Sequence, residues 1–221
     1  MNVLITGANR GIGLGFVHHY LNDGHGVWAC HRADAGGLAA ISSLALHLLH
    51  WDVACDDVPR GELPERIDLL INCAGIYGPG KGGQSLDKVS PGAMQEVFNV
   101  DCIGPLRVVK LLHERMSEGG VIANISSKMG SSGDNSSGGT YAYRAAKAAL
   151  VIVSKSMAVD LAPAGVHVIT LHPGWVRTDM VNHTGLIDVD ESVTDMADVI
   201  GRARDYAPGA FVAFDGREVP Y

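Results

Sequence analysis

This sequence predicts a single three-layer α/β domain with a doubly wound parallel sheet, on three observations. Short apolar runs alternate with helical patterns down nearly the whole chain, as parallel strands joined by crossover helices require. Runs such as Leu69-Leu70-Ile71 are apolar without alternation, which suits strands covered on both faces. The 221 residues, 47% of them hydrophobic, can build one substantial core, and no shift in composition marks a boundary within 1–221.

Each element follows from its own composition. Val3-Leu4-Ile5 is a short β-branched and aliphatic run, hence a strand, and Gly13 to Asn22 reads as the helix after it. Val27 to Cys30 is the second strand, Gly37 to Leu44 a short helix, Leu46 to Trp51 the third strand and Ile67 to Asn72 the fourth. A helix around Pro91 to Phe98 runs on through Leu106 to Glu118 and leads into a strand at Val121 to Ile125. Tyr143 to Leu161 is rich in alanine and follows a serine- and glycine-rich loop, so a long helix begins there. A strand at Val166 to Leu171, a helix near Glu191 to Arg204 and an apolar run at Ala210 to Phe214 complete the alternation.

Composition also bounds function. A net charge of −7 without any basic block argues against nucleic acid or an anionic membrane as partner. The chain enters strand-like sequence directly at MNVLITG, which leaves no room for a signal peptide, and no apolar run could span a bilayer. Cys30, Cys55, Cys73 and Cys102 are widely spaced with no CxxC pair, so reduced thiols and a cytoplasmic location are expected. The ten histidines lack ligand spacing, and a metal site is not expected.

In such sheets ligands bind beyond the carboxyl ends of the strands. After the first strand comes ITGANRGIGLG, whose Gly7, Gly11 and Gly13 let backbone approach a diphosphate at a helix N-terminus. The spacing is G-x-x-x-G-x-G rather than G-x-G-x-x-G. The second strand ends in Cys30-His31-Arg32, where a ribose-binding carboxylate would normally stand. Arg32, with Arg10 from the glycine loop, suits a 2′-phosphate, so NADP(H) is expected in preference to NAD(H). INCAG closes the fourth strand: Ala74 and Gly75 leave room for a flat ring or ribose, and Asn72 can tie neighbouring strands together.

TYAYRAAK opens the long helix. Tyr143 and Lys147 lie four apart and share a face, whereas Tyr141 lies six away and points elsewhere. An ammonium within about 4–6 Å lowers a phenol, ordinarily near 10, by about 1–3 units, which would fit Tyr143 for proton transfer near neutral pH.

Six segments together, TGANRGIG, NCAG, FNV, NISS, the Tyr143 to Lys147 run YRAAK, and PGWVRTDM, resemble the short-chain dehydrogenase/reductases of the non-extended branch. Tyr141 to Met180 and the ending FDGREVPY are similar in particular to C-factor-like proteins and carbonyl reductases. The resemblance implies a Rossmann-type NAD(P)-binding fold and an enzyme that reduces a small aldehyde or ketone. It makes Tyr143 the general acid/base, Lys147 the residue bonding the nicotinamide ribose, and Ser127 the group polarising the substrate carbonyl, with Ser126 as its rival. Asn99 would hold the water linking Lys147 to solvent. Gly7, Asn9, Arg10, Gly11, Ile12 and Gly13 would cradle the cofactor. So would Asp52 and Val53 at adenine, Asn72, Ala74 and Gly75 at the fourth strand, and Pro173, Gly174, Val176 and Thr178 beside the nicotinamide. A homodimer or homotetramer through the two long helices is implied as well. The same likeness implies two alternatives: a cofactor-binding signalling or regulatory protein, and an NAD-dependent alcohol dehydrogenase.

Overall fold

In the computed structural model, which describes residues 1–80 and 82–221, seven strands form one sheet. They are β1 (Asn2–Thr6), β2 (Gly26–His31), β3 (Leu46–His50), β4 (Ile67–Asn72), β5 (Met116–Ile125), β6 (His167–His172) and β7 (Phe211–Ala213). Their order is β3-β2-β1-β4-β5-β6-β7, and every neighbouring pair is parallel. Chain order reverses between β1 and β4, so a crevice opens beyond their carboxyl ends.

Among the described residues five α-helices cover the sheet: α1 (Gly11–Asn22), α2 (Pro91–Phe98), α3 (Gly104–Leu112), α4 (Tyr141–Leu161) and α5 (Val189–Gly201). Successive strand residues point to opposite faces, and both faces are dry. Val3 and Ile5 of β1 pack with Phe16 and Val17 of α1 and Met196 of α5. Leu4 and Leu70 pack on the other side with Val108 and Leu112 of α3 and Met157 of α4. No described helix is long and apolar enough to cross a membrane.

Two expectations are corrected. The helix expected from Gly37 to Leu44 is only a 3-10 turn over Gly36–Ala40, and Leu44 is fully exposed. Two adjacent glycines and the Ser42-Ser43 pair leave too little helix propensity to continue. The helix expected to run from Pro91 through Glu118 is broken by a π turn at Asn99–Ile103, and it ends at Leu112, with β5 already begun at Met116. Pro105 is the cause: without an N–H it cannot bond the carbonyl of Asp101, four residues back, and its ring crowds that carbonyl. The chain relaxes into one wider turn, closed by the Gly104 N–H on the Asn99 carbonyl.

Candidate active site

The glycine turn is packed as a cradle. A Cβ on Gly13 would stand 2.2 Å from the Gly7 carbonyl oxygen, and one on Gly7, whose φ is +64°, would meet Ala74 Cα at 2.7 Å. Arg10 precedes α1 in extended backbone, and no side chain caps the helix. Its first N–H groups, which α geometry leaves unpaired, therefore face the crevice, as a diphosphate requires. Asn9 turns its amide to the Asp34 carbonyl, and Thr6 Oγ1 accepts from the Cys73 and Ala74 N–H groups. The β1 and β4 loops are thereby locked together. Ile12 packs on the core beneath the turn.

Arg10 and Arg32 are both exposed, Arg32 one residue beyond β2. Asp52 holds its own turn through the Ala54 N–H, and Val53 is buried against Gly104. Asn72, expected among the cofactor residues, is enclosed: its amide donates to Asn124 Oδ1 at 2.8 Å, tying β4 to β5. Its side chain is thus a strand tie and does not reach the crevice. Gly174 has φ +86°, Val176 pairs with Ile187, and Thr178 stands over Gly11, so the loop after β6 borders the glycine turn. A cleft of about 560 Å³ between these loops is lined in part by Arg10, Gly75, Tyr77, Glu96 and Met180.

Tyr143 and Lys147 lie on the buried stripe of α4 that continues as Leu150, Ser154 and Met157. Farther along this stripe fills the core; at the first turn it passes the edge of the sheet. Lys147 Nζ sits 5.6 Å from the Tyr143 ring centroid, while Tyr141 is exposed. Ser126 donates to the Lys147 carbonyl and is turned into the helix packing. Ser127 lies beside the phenol and accepts from the Met129 N–H. Of the two serines, it is the Ser127 hydroxyl that neighbours the phenol.

Asn99 is not beside Lys147. Its amide donates to the Ala54 carbonyl at 2.9 Å, holding the loop after β3. The π turn brings Asp101 inward instead. One Asp101 oxygen, Oδ2, lies 3.1 Å from Lys147 Nζ and the other accepts the Ile76 N–H at 2.8 Å, with the carboxylate 0% exposed. Lys147 also donates to the Ile125 carbonyl at 3.0 Å. Gly75 is what leaves room, since a Cβ there would come 3.3 Å from Asp101 Oδ2 and 3.4 Å from Lys147 Nζ.

This arrangement reverses an expectation about charge. Burial pushes the Tyr143 phenol up, Lys147 pulls it down, and Asp101 pushes it up again; the net direction is above the ordinary value. Burial also raises the Asp101 carboxyl, which Lys147 and the Ile76 N–H only partly offset. Burial pulls Lys147 down, but Asp101 and Tyr143 outweigh it and hold the ammonium charged.

A second residue not singled out from the sequence is Gln84. Thr140 precedes α4 with φ +51° and gives no side-chain cap. Gln84, from a distant loop, supplies one: its Oε1 accepts the Tyr143 N–H at 3.0 Å while its Nε2 donates to the Tyr77 carbonyl at 2.6 Å. Tyr77 in turn packs its ring 5.0 Å from that of Tyr143.

Comparison with known proteins agrees with this geometry. Residues 1–186 match the family model described as short chain dehydrogenase. The chain is 38% identical over 157 residues to C-signal from Myxococcus xanthus, covering 70% of this chain and 93% of that one. A putative short-chain dehydrogenase/reductase from Burkholderia multivorans, solved with bound NADP, superposes at TM-score 0.89 with 28% identity, covering 100% of this chain and 99% of that one. A carbonyl reductase from Pseudomonas aeruginosa PAO1 does so at 0.83 with 31% identity and the same coverage. With its reversed parallel sheet, glycine cradle and tyrosine–lysine helix, this chain belongs to the short-chain dehydrogenase/reductase family of NAD(P)-dependent oxidoreductases.

Proposed function

We propose that the chain is an NADPH-dependent reductase of small aldehydes or ketones with Tyr143 as general acid and base. The observation that carries this reading is the phenol held one helical turn from Lys147 at the carboxyl edge of the sheet, with the Ser127 hydroxyl beside it. The close-packed glycine turn and the uncapped α1 N-terminus fit a dinucleotide diphosphate.

When bound, the dinucleotide supplies the hydride, which is its own chemistry. The residues of the chain bind, orient and move the proton. Gly7, Asn9, Arg10, Gly11, Ile12 and Gly13 hold the diphosphate end, with Arg10 and Arg32 for a 2′-phosphate. Asp52 and Val53 border the adenine, Ala74 and Gly75 a ribose, and Pro173, Gly174, Val176 and Thr178 the nicotinamide side. Lys147 holds the nicotinamide ribose. Ser127 Oγ donates to the substrate oxygen, stabilising the charge that develops there, and Tyr143 Oη delivers the proton. The open cleft and the short segment after Met180 favour a small carbonyl compound. Leu106, Leu111, Ile152 and Val159, exposed on α3 and α4, support a homodimer or homotetramer, and four free cysteines support a cytoplasmic setting.

Tyr143→Phe should abolish NADPH oxidation across a panel of aldehydes and ketones while nucleotide fluorescence shows binding retained; turnover at the wild-type rate would refute the assignment. Arg32→Asp should weaken NADPH far more than NADH. An unchanged preference would favour an NAD-dependent alcohol dehydrogenase. The similarity to C-signal favours one other reading, a cofactor-binding signalling protein. Tight NADPH binding with no oxidation of any panel compound would favour it.

A further inference from the structure

Asp101 is a buried carboxylate that the proposed reaction does not use. It comes from the π turn, is 0% exposed, and reaches Lys147 Nζ at 3.1 Å. Its other oxygen is fixed by the Ile76 N–H, so the carboxylate cannot swing away. The groups facing this cluster come from four elements. They are Tyr143 on α4, Ser127 after β5, Cys73 and Tyr77 after β4, and Cys102 beside Asp101 in the π turn. Burial pushes the Cys73 thiol up to about 12 and the Cys102 thiol up to about 11, so neither supplies an anion at ordinary pH. Arg10 and Glu96 lie on the lining of the cleft. Asp101 is therefore the anion in contact with the Lys147 ammonium.

We propose that Asp101 is a positioning residue that clamps Lys147 and cancels its charge, keeping Tyr143 a neutral proton donor and setting the site for carbonyl reduction rather than alcohol oxidation. The kinetic half of this proposal rests on Tyr143 being the general acid. An ammonium facing a phenol alone stabilises the phenolate, which is the form that takes a proton from an alcohol. An ammonium held by a carboxylate presents a neutral pair, and the phenol keeps its proton into alkaline solution. Lys147 is meanwhile held by its ion pair with Asp101 and by its hydrogen bond to the Ile125 carbonyl, which fix the ammonium in place.

The test is an NMR titration of the apoprotein labelled at tyrosine 13Cζ and lysine 15Nζ, with Tyr143→Phe identifying the tyrosine signal. In the wild type Tyr143 should show no titration below its ordinary value of about 10. In Asp101→Asn the Tyr143–Lys147 pair should lose its first proton at lower pH than in the wild type, because the charge opposing the ammonium has gone. The alkaline limb of the reduction rate should move with it. Reduction by Asp101→Asn should therefore fall off at lower pH than reduction by the wild type. Wild-type titration of Tyr143 near neutral pH would overturn the proposal, and this arm needs no variant to fold. So would an Asp101→Asn protein in which neither signal moves. Turnover by Tyr143→Phe would sink the general-acid reading instead, while the titration still reports the clamp.

Discussion

Lys147→Met removes the ammonium and leaves Asp101 buried without its counter-charge. The lost methylene stem is largely replaced by methionine, so the change is mainly electrostatic. Asp101 would keep the Ile76 N–H on one oxygen and lose the ammonium that faces the other. A carboxylate in that position escapes its desolvation penalty by taking up a proton. Its folded value is then raised far above the unfolded value of about 3.9. The sign follows: stability is fully present at low pH, where the group is protonated in both states, and is lost as pH rises until the folded group also ionises. Over that window the unfolded chain has released one proton that the native chain retains. The variant therefore loses about 1.4 kcal/mol per pH unit relative to wild type, or about 2.7 kcal/mol between pH 6 and pH 8. This is just under the 3–5 kcal/mol or so lost when one partner of a buried pair is deleted. Urea unfolding of the apoprotein at the two pH values measures it directly. Adding Asp101→Asn to Lys147→Met should remove the pH-dependent part. A deficit that is the same at both pH values, or that persists with its slope in the double variant, would show that Asp101 is not charged against Lys147.

Three further outcomes follow from other parts of the site. Gln84→Leu leaves the Tyr143 N–H and the Tyr77 carbonyl without partners. It should cost about 2–4 kcal/mol in denaturant unfolding and lower kcat with little change in NADPH affinity. Gly13→Ala drives a methyl against the Gly7 carbonyl, which is backbone and must shift. A loss of about 1–3 kcal/mol and of the thermal stabilisation by added NADPH is expected in differential scanning fluorimetry. His172 is pulled down to about 4, by burial first and by the Lys128 charge second. A base with a depressed folded value contributes stability that is fully present above about 6.5 and lost as pH falls toward 4. His172→Leu should accordingly remove about 3 kcal/mol of acid lability over that interval, read from chemical denaturation at pH 7.5 and pH 4.

Much of the fold was legible because the patterns were long and redundant. Six of the seven strands were placed within one or two residues at their carboxyl ends by apolar runs alone, and it is those ends that position ligands. Tyr143 and Lys147 were legible from helical spacing, which fixes relative direction once a helix is granted. Elements with weak local propensity were not. The Gly36–Ala40 turn was overestimated as a helix, and β5 begins five residues before the run at Val121 because Met116 to Gly120 carries little strand signal of its own. Gln84 was invisible for a different reason: it caps a helix that starts 57 residues later, a contact made only by the tertiary fold.

The substitution of Asp101 for Asn99 in the site has a local physical cause that the sequence did carry. The resemblance gives that place to Asn99, through the segment FNV, and an amide suits the role of holding a water. The signal against that reading was Gly104-Pro105. A proline inside a helical pattern must free the carbonyl four residues before it, and that residue is Asp101. A turn that widens there rotates the preceding side chains, sending Asn99 out to Ala54 and Asp101 in to Lys147. Counting back from Gly104-Pro105 would have found the residue, whereas counting forward from the asparagine could not. The consequence is chemical as well as geometric, because an amide in that place would leave Lys147 free to act on the phenol. A carboxylate binds the ammonium first, and the proton on Tyr143 is held by the balance between them.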